Sequence, residues 1–363
     1  MSKLLALALV ALLGAGCASN TTGVGYYWQS VTGHLQLMQA ARPVDDWLAD
    51  DATPPPLKAR LDNARRIRQF AVTELALPDN ASYHRYADLK RRAAVYNVVA
   101  APALSLKLQT WCFPVAGCVG YRGYFAEADA RAFADSLDDQ LEVSVYSVPA
   151  YSTLGWMNWA GGDPLLNTFI TYPEGELARI VFHELAHQVV YVQNDTAFNE
   201  SFATAVERLG GERWLARSTD QARSAYASFD NRRRAFRALT RATRERLKTL
   251  YDDTDLPDDT KLQLKAVVMT DFRDQYAAMK AGWNGYAGYD PFVARANNAS
   301  FAAQAAYDEW VPAFEALFER EGRDFARFYD AVRDLAGRPK DERQTALREL
   351  APTALAAGDT TRP

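Results

Sequence analysis

The chain has 363 residues, of which 48% are apolar, enough for one large domain or two ordinary ones around a substantial core. Its formal net charge of −4 argues against a general nucleic-acid binder, which needs a basic face to neutralise phosphates. Three cysteines and four histidines are few, so any site built from them stands out.

Lys3 is followed by the apolar run LLALALVALLGAG, which ends at Cys17. A positive start and an apolar stretch of this length form a secretory signal, too short for a lasting membrane span. The junction resembles the lipobox of bacterial lipoproteins, with Leu13 four residues before the cysteine instead of the usual three. By that likeness residues 1–16 are removed and Cys17 is lipidated. Residues 17–25 are then the tether. Ala18 rather than aspartate follows the cysteine. In the sorting pattern this resembles, that implies an outer-membrane lipoprotein facing the periplasm, held to the cell envelope by its lipid.

From Tyr26 to about Leu77 the pattern is helical, with Leu35, Met38 and Leu48 in an apolar stripe and Pro43 breaking it. DATPPP is a linker, and Pro56 suits the start of the next helix. The middle third holds three short β-branched runs, AAVYNVVAAP, LEVSVYSVP and LLNTFITYP, which predict strands. Between the first two, Cys112 and Cys118 are an even pair in an exported chain and predict a disulfide. From Gly175 onward the chain is predicted helical, with two long helices joined by the acidic turn DDTDLPDD. The fold class is α+β, mostly helical with a small sheet, in a single domain over residues 26–350. Residues 351–363 are expected to be a disordered tail.

The chemistry concentrates in RIVFHELAHQVVYVQNDTAFNESFATAVE, residues 179–207. His183-Glu184-Leu185-Ala186-His187 is HExxH. Four residues apart on a helix, two imidazoles share a face and can grip one metal ion, while Glu184 reaches the water that a metal would activate. The motif arises by chance in roughly one such chain in several hundred. The surrounding helix is apolar nearly all round, hence buried. Two histidines and a glutamate there demand a reason. The helix is expected to end near Gln193, with a second beginning at Asp195 or Thr196. In a tight antiparallel hairpin, reflection about the turn sends His187 to Glu200. A His₂Glu set with an open fourth position is the arrangement of catalytic zinc. Glu207, two turns beyond Glu200, ranks second as a ligand and otherwise suits an acceptor for a histidine N–H. Asn199 and Thr204 are candidates for the same supporting role or for capping.

HELAHQ followed by FNESFA resembles the zinc peptidases of the glutamate-zincin type. That likeness implies His183, His187 and Glu200 as zinc ligands and Glu184 as general base. Only twelve residues separate His187 from Glu200, fewer than in thermolysin-like enzymes, so the hairpin must be tight. A wider likeness runs through GYYWQSVTGHLQLMQAARPVDDWL, WCFPVAGCVGYRGYF, AYSTLGW, DPLLNTFI, DTAFNESFATAVE and NNASF. Together these segments resemble a bacterial family of predicted zinc aminopeptidases, many of them lipoproteins. The resemblance implies zinc-dependent hydrolysis of peptides in the periplasm. Its exopeptidase part rests on the family name. The rival readings are a non-catalytic zinc-binding lipoprotein and an amidase acting on cell-wall peptides. Tyr191 and Tyr151 are candidate donors to the oxyanion. The runs VSVYSV and NTFITY offer an edge strand for an extended peptide. Asn297 and Asn298 suit either a cleft or a turn. The basic stretch Arg232–Lys248 reads as a solvated face.

Overall fold

The computed structural model describes residues 23–113, 117–150, 152, 153, 158, 161–305 and 310–358. The expected signal, Cys17 and Tyr151 lie outside the described residues. The architecture is α+β and mostly helical, as the sequence predicts.

Helix α1 (Gly23–Ala40) ends before Pro43, which lies in a three-residue strand β1 (Ala41–Pro43) and caps α2 (Val44–Ala49). Helix α3 (Pro55–Leu75) takes Pro54 as its N-cap and carries Pro55 in its first turn, where the missing N–H costs nothing. The stripe predicted on α1 is shifted: Leu37 is buried, whereas Leu35 is exposed. Both faces of α1 carry apolar residues, so periodicity alone does not single out the inner one.

Eight strands form three small sheets among the described residues. β3 (Val95–Pro102) is the centre of one, flanked by β6 (Arg122–Tyr124) and β7 (Leu141–Val148), both antiparallel to it. The register runs from Val95 opposite Val148 to Pro102 opposite Leu141, and α4 (Glu127–Asp135) packs on this sheet through Phe133. A second sheet joins β1, β2 (Arg85–Ala87) and β8 (Leu165–Leu166). β4 (Trp111–Phe113) and β5 (Gly117–Val119) make a separate hairpin closed by the Cys112–Cys118 disulfide, the two cysteines being register partners.

The strand predicted over LLNTFITYP is reduced to Leu165–Leu166. Asn167 donates its backbone N–H to Ala87, and its side chain accepts from the Leu89 N–H and donates to the Arg91 carbonyl. The amide side chain replaces ladder bonds, and the chain coils back as Phe169 and Ile170 N–H return to Leu166. Phe169 and Ile170 are buried as anchors of a turn, not as strand residues.

The rest is helical: α5 (Glu174–Ala186), α6 (Thr196–Leu215), α7 (Asp220–Asp252), α8 (Asp258–Gly282), α9 (Asp290–Ala294), α10 (Asn298–Ala305), α11 (Val311–Arg320), α12 (Phe325–Ala336) and α13 (Lys340–Gly358). α5 and α6 form the predicted hairpin at the centre of the largest core cluster. Phe182 stacks with Phe70 of α3, while Phe202 packs on Phe314 of α11 and Phe328 of α12. The long pair α7 and α8 has its own cluster around Phe236, Phe272 and Tyr276. Asn297 and Asn298 are structural: Asn297 caps toward Ser300 and donates to Val143 of β7, and the fully buried Asn298 donates to Pro102 and Ala103. The basic stretch of α7 is partly turned inward, since Arg233 bonds both oxygens of Glu176.

Candidate metal centre

Helix α5 is apolar on nearly every side, and its buried residues Leu177, Val181, Phe182, Leu185 and Ala186 fix its rotation. That rotation leaves His183 and Glu184 on the one partly open face. The helix ends at Ala186, seven residues before the expected Gln193, and His187 is its C-cap. The β-branched run after it favours the early exit. Side chains then hold the exit. Gln188 accepts from Asn80 at 2.7 Å and donates to Ser82 at 3.2 Å, and Asn199 brackets Val192, accepting from its N–H and donating to its carbonyl, each at 2.8 Å. Asn199 therefore pins the connecting loop to α6, and Tyr191, expected within the first helix, lies on that loop. At the far side of the turn Asn194 takes a positive φ of 62° and Asp195 caps α6 by accepting from the Phe198 N–H. Asp195 is itself held by the buried Arg343 of α13 at 2.7 Å.

The hairpin brings the three expected ligands together. His183 Nε2 and His187 Nε2 are 3.1 Å apart, and Glu200 Oε2 lies 3.4 Å from the first and 3.9 Å from the second. Among the described residues this is the one group of ligating side chains whose donor atoms all lie within 4.8 Å of one another. Tetrahedral bonds of zinc length place neighbouring donors about 3.4 Å apart. Two facing imidazole nitrogens and one carboxylate oxygen at these spacings fit one small cation between them.

Behind His183 stands Glu207, whose Oε2 lies 3.0 Å from Nδ1. Glu207 also pairs with Arg179, one turn before His183 on α5. Arg179 is 4% exposed and donates further to Tyr226 at 2.6 Å and to Asp230 at 3.4 Å of α7. Burial works against the ionised Glu207, but the Arg179 guanidinium and the His183 hydrogen bond bring its pKa down to about 2. Burial likewise opposes charging His183, yet its bonds to Glu200 and Glu207 raise it well above 6.5. His187 is pushed down to about 4, mainly by burial. Burial raises Glu184 to about 7, opposed by His183 and supported by Glu200 and Asp163.

Several neighbours carry no mark in the sequence. Asp163, 1% exposed, accepts from the Thr153 N–H and hydroxyl at 3.0 and 2.8 Å and feels both His34 and Ser152. Tyr83 sits at φ 67° with its N–H bonded to the Asp163 carbonyl, and its buried phenol is raised by desolvation and by Glu184. The half-buried Tyr146 and Tyr191 are raised by burial and by the charge of Glu200, and the more exposed Tyr121 feels the Glu200 charge in the same direction. Tyr191 is thus near the centre, though by way of a loop. The disulfide hairpin reaches the same turn: Cys118 N–H donates to Asn194 Oδ1 at 2.8 Å, and a side chain on Gly117 would collide with Asn194. Arg179 was the readable signal, a lone cation in an apolar helix at the i−4 position from His183.

A family model described as "Putative aminopeptidase" matches residues 25–347. No curated protein and no solved structure matches the chain.

Proposed function

The chain belongs to this aminopeptidase family, and from that premise we propose that it is a zinc-dependent peptidase of the cell envelope, removing residues from the amino end of peptides. One observation carries the metal part of the reading: the His183, His187 and Glu200 donor atoms stand at the separations a tetrahedral cation requires. Two nitrogens and one oxygen, with no cysteine among them, suit zinc with one position left for substrate. Zinc, when bound, supplies Lewis acidity, making an attacking water more acidic and polarising the scissile carbonyl.

The protein side of the reaction belongs to α5 and its neighbours. Glu184 stands next to His183 on the partly open face and is poised near neutrality, the range in which a carboxylate both takes and returns a proton. It accepts the proton of the attacking water and delivers it to the leaving amine. Glu207 holds the His183 ring with its Nδ1–H directed away from the centre, leaving Nε2 as the ligating atom. Tyr191, Tyr121 and Tyr146 feel the charge of Glu200 and are the candidate donors to the oxyanion. An outer-membrane lipoprotein facing the periplasm, anchored through Cys17, is the location that the signal, the lipobox-like junction and the Cys112–Cys118 disulfide support together.

The test is cleavage of a defined peptide library by the purified chain, with and without chelator, alongside metal analysis. About one zinc per chain and chelator-sensitive release of amino-terminal residues are expected. Cleavage restricted to cell-wall peptides would select the amidase reading. Bound zinc with no cleavage of either class would select the non-catalytic one.

A further inference from the structure

Helix α1 carries a second apolar face that nothing described in the molecule covers. Tyr27, Val31 and Leu35 recur every four residues and Trp28 stands beside them, so the four fall within an arc of roughly 100°. Their exposures are 47, 54, 50 and 68%. The opposite face is already used: Gln29 and Leu37 are buried, Gly33 meets the Phe125 ring, and Tyr26 stacks on Phe113 of the disulfide hairpin. The exposed residues are therefore not a misplaced core. Charge marks this face as well. Between Lys3 and Arg42 the sequence has no Asp, Glu, Lys or Arg. On α8 the exposed Leu262, Leu264 and Val267 are instead interspersed with the exposed Gln263, Arg273 and Asp274, as on an ordinary solvated helix.

Chain length decides what covers the face. Gly23 follows Cys17 by six residues, and six residues span at most roughly 20 Å. A compact chain of this size has a radius of gyration of roughly 20 Å and so a diameter well beyond that reach. If Cys17 carries lipid, the surface around the start of α1 is held against the bilayer and the far side is not. A tyrosine and a tryptophan flanking aliphatic side chains match the headgroup boundary, where an aromatic ring keeps its polar atom in water. No helix among the described residues is long and apolar enough to cross a membrane, so α1 would lie on the surface.

We propose that Tyr27, Trp28, Val31 and Leu35 of α1 form a membrane-surface docking face, seating the protein flat on an uncharged phospholipid leaflet beside its anchor. The lipid anchor gives affinity, and this face gives orientation. Since Tyr26 on the inner face packs on the hairpin that touches Asn194, docking also fixes the attitude of the metal centre toward the bilayer. The inference rests on the lipoprotein reading, and its test separates the two.

With Cys112 and Cys118 joined, Cys17 is the one free thiol of the chain from Cys17 onward. That chain is coupled through Cys17 to a maleimide phospholipid in phosphatidylcholine–phosphatidylethanolamine vesicles, some containing a lipid with a shallow nitroxide quencher. This reproduces the anchor whether or not cells attach one. Trp28 is one of eight tryptophans, so the readout is the difference between the wild type and Trp28→Phe. Nitroxide-dependent quenching in the wild type that is largely lost in Trp28→Phe is expected. Serine at positions 27, 31 and 35 should also suppress quenching of the retained Trp28, with the circular dichroism spectrum unchanged. Equal quenching in wild type and Trp28→Phe overturns the docking face. So does a concentration-dependent dimer of the uncoupled chain that the serine variant abolishes, because a second copy would then cover the stripe. Mass analysis of protein taken from cells reports separately on lipidation.

Discussion

The Nδ1 atom of His183 lies 3.0 Å from the Glu207 carboxylate, so the ring meets His187 and Glu200 only through Nε2. A histidine held in this way keeps its Nδ1 proton turned to the carboxylate, so that a metal would displace only the proton on Nε2. Glu207 is fixed in turn by Arg179, and Arg179 by Tyr226 and Asp230 of α7. The face that carries the His183–His187–Glu200 cluster is thereby tied to a helix that contributes nothing to that cluster.

Glu207→Gln should keep the hydrogen bond in a weaker form and lose the charge. Zinc affinity is expected to fall by ~10–100-fold, the usual cost of changing such an outer partner. Competition against a chelator of known affinity measures it. Unchanged affinity would show that Glu207 does not tune His183.

Arg179→Leu is the harsher change, because it takes from the buried Glu207 the guanidinium that lowers its pKa most. Breaking a buried pair from one side costs about 3–5 kcal/mol, and urea unfolding of the metal-free protein should register that loss. Arg179→Leu/Glu207→Leu should recover part of it. A cost below about 1 kcal/mol for the single change would mean that the pair is not holding the hairpin.

The same pair gives a pH dependence with a definite sign. Glu207 is depressed from 4.5 to about 2. The stability it confers is complete above its unfolded pKa and is lost as pH falls toward the folded value. Metal-free wild type should lose roughly 2 kcal/mol from this group between pH 5 and pH 3. Glu207→Gln should show a shallower decline over that window when both are followed by urea unfolding. Parallel curves would remove Glu207 from the account of acid sensitivity.

The hairpin and the gathering of His183, His187 and Glu200 on it were legible because helical spacing and turn reflection are local geometry. His183, His187 and Glu200 needed only the assumption that the chain reverses between them. The reversal itself is looser than periodicity predicts, since α5 stops at Ala186 and the connection is held by Gln188 and Asn199 reaching distant or reversed backbone. Such side-chain bonds leave no spacing signal. LLNTFITYP misled for the same reason, with Asn167 taking over bonds that a strand would have made. Tyr83, Asp163 and Tyr121 come to the centre from separate loops, where only tertiary structure assembles them.

The Cys112–Cys118 bond closes a short loop and should contribute about 2 kcal/mol, as loop entropy scales for so small a ring. Its reach is longer than its energy, because Cys118 N–H holds the Asn194 side chain in the turn before α6. Cys112→Ser/Cys118→Ser should therefore lower the melting temperature and also weaken zinc retention, as the turn that sets the height of Glu200 loosens. Alkylation before and after reductant reports whether the pair is oxidised in protein from cells. A variant with lowered stability and wild-type zinc affinity would confine the disulfide to stability.

The decisive contrast lies between two glutamates that one substitution each converts to the isosteric amide. Glu200 has an oxygen 3.4 Å from His183 Nε2 and 3.9 Å from His187 Nε2, within the donor cluster. Glu184 is outside that cluster, and its carboxyl is raised to about 7 by burial and by the Glu200 and Asp163 charges. Glu200→Gln should weaken zinc binding, since a neutral amide replaces an anionic ligand. Activity should then return in part at high added zinc. Glu184→Gln should fold, retain about one zinc per chain and lose at least ~10²-fold in kcat, the scale of general acid–base catalysis, with no rescue by added metal. Wild-type turnover in Glu184→Gln would remove it from the chemistry. Loss of zinc in Glu184→Gln together with full retention in Glu200→Gln would exchange the two roles and redraw the centre.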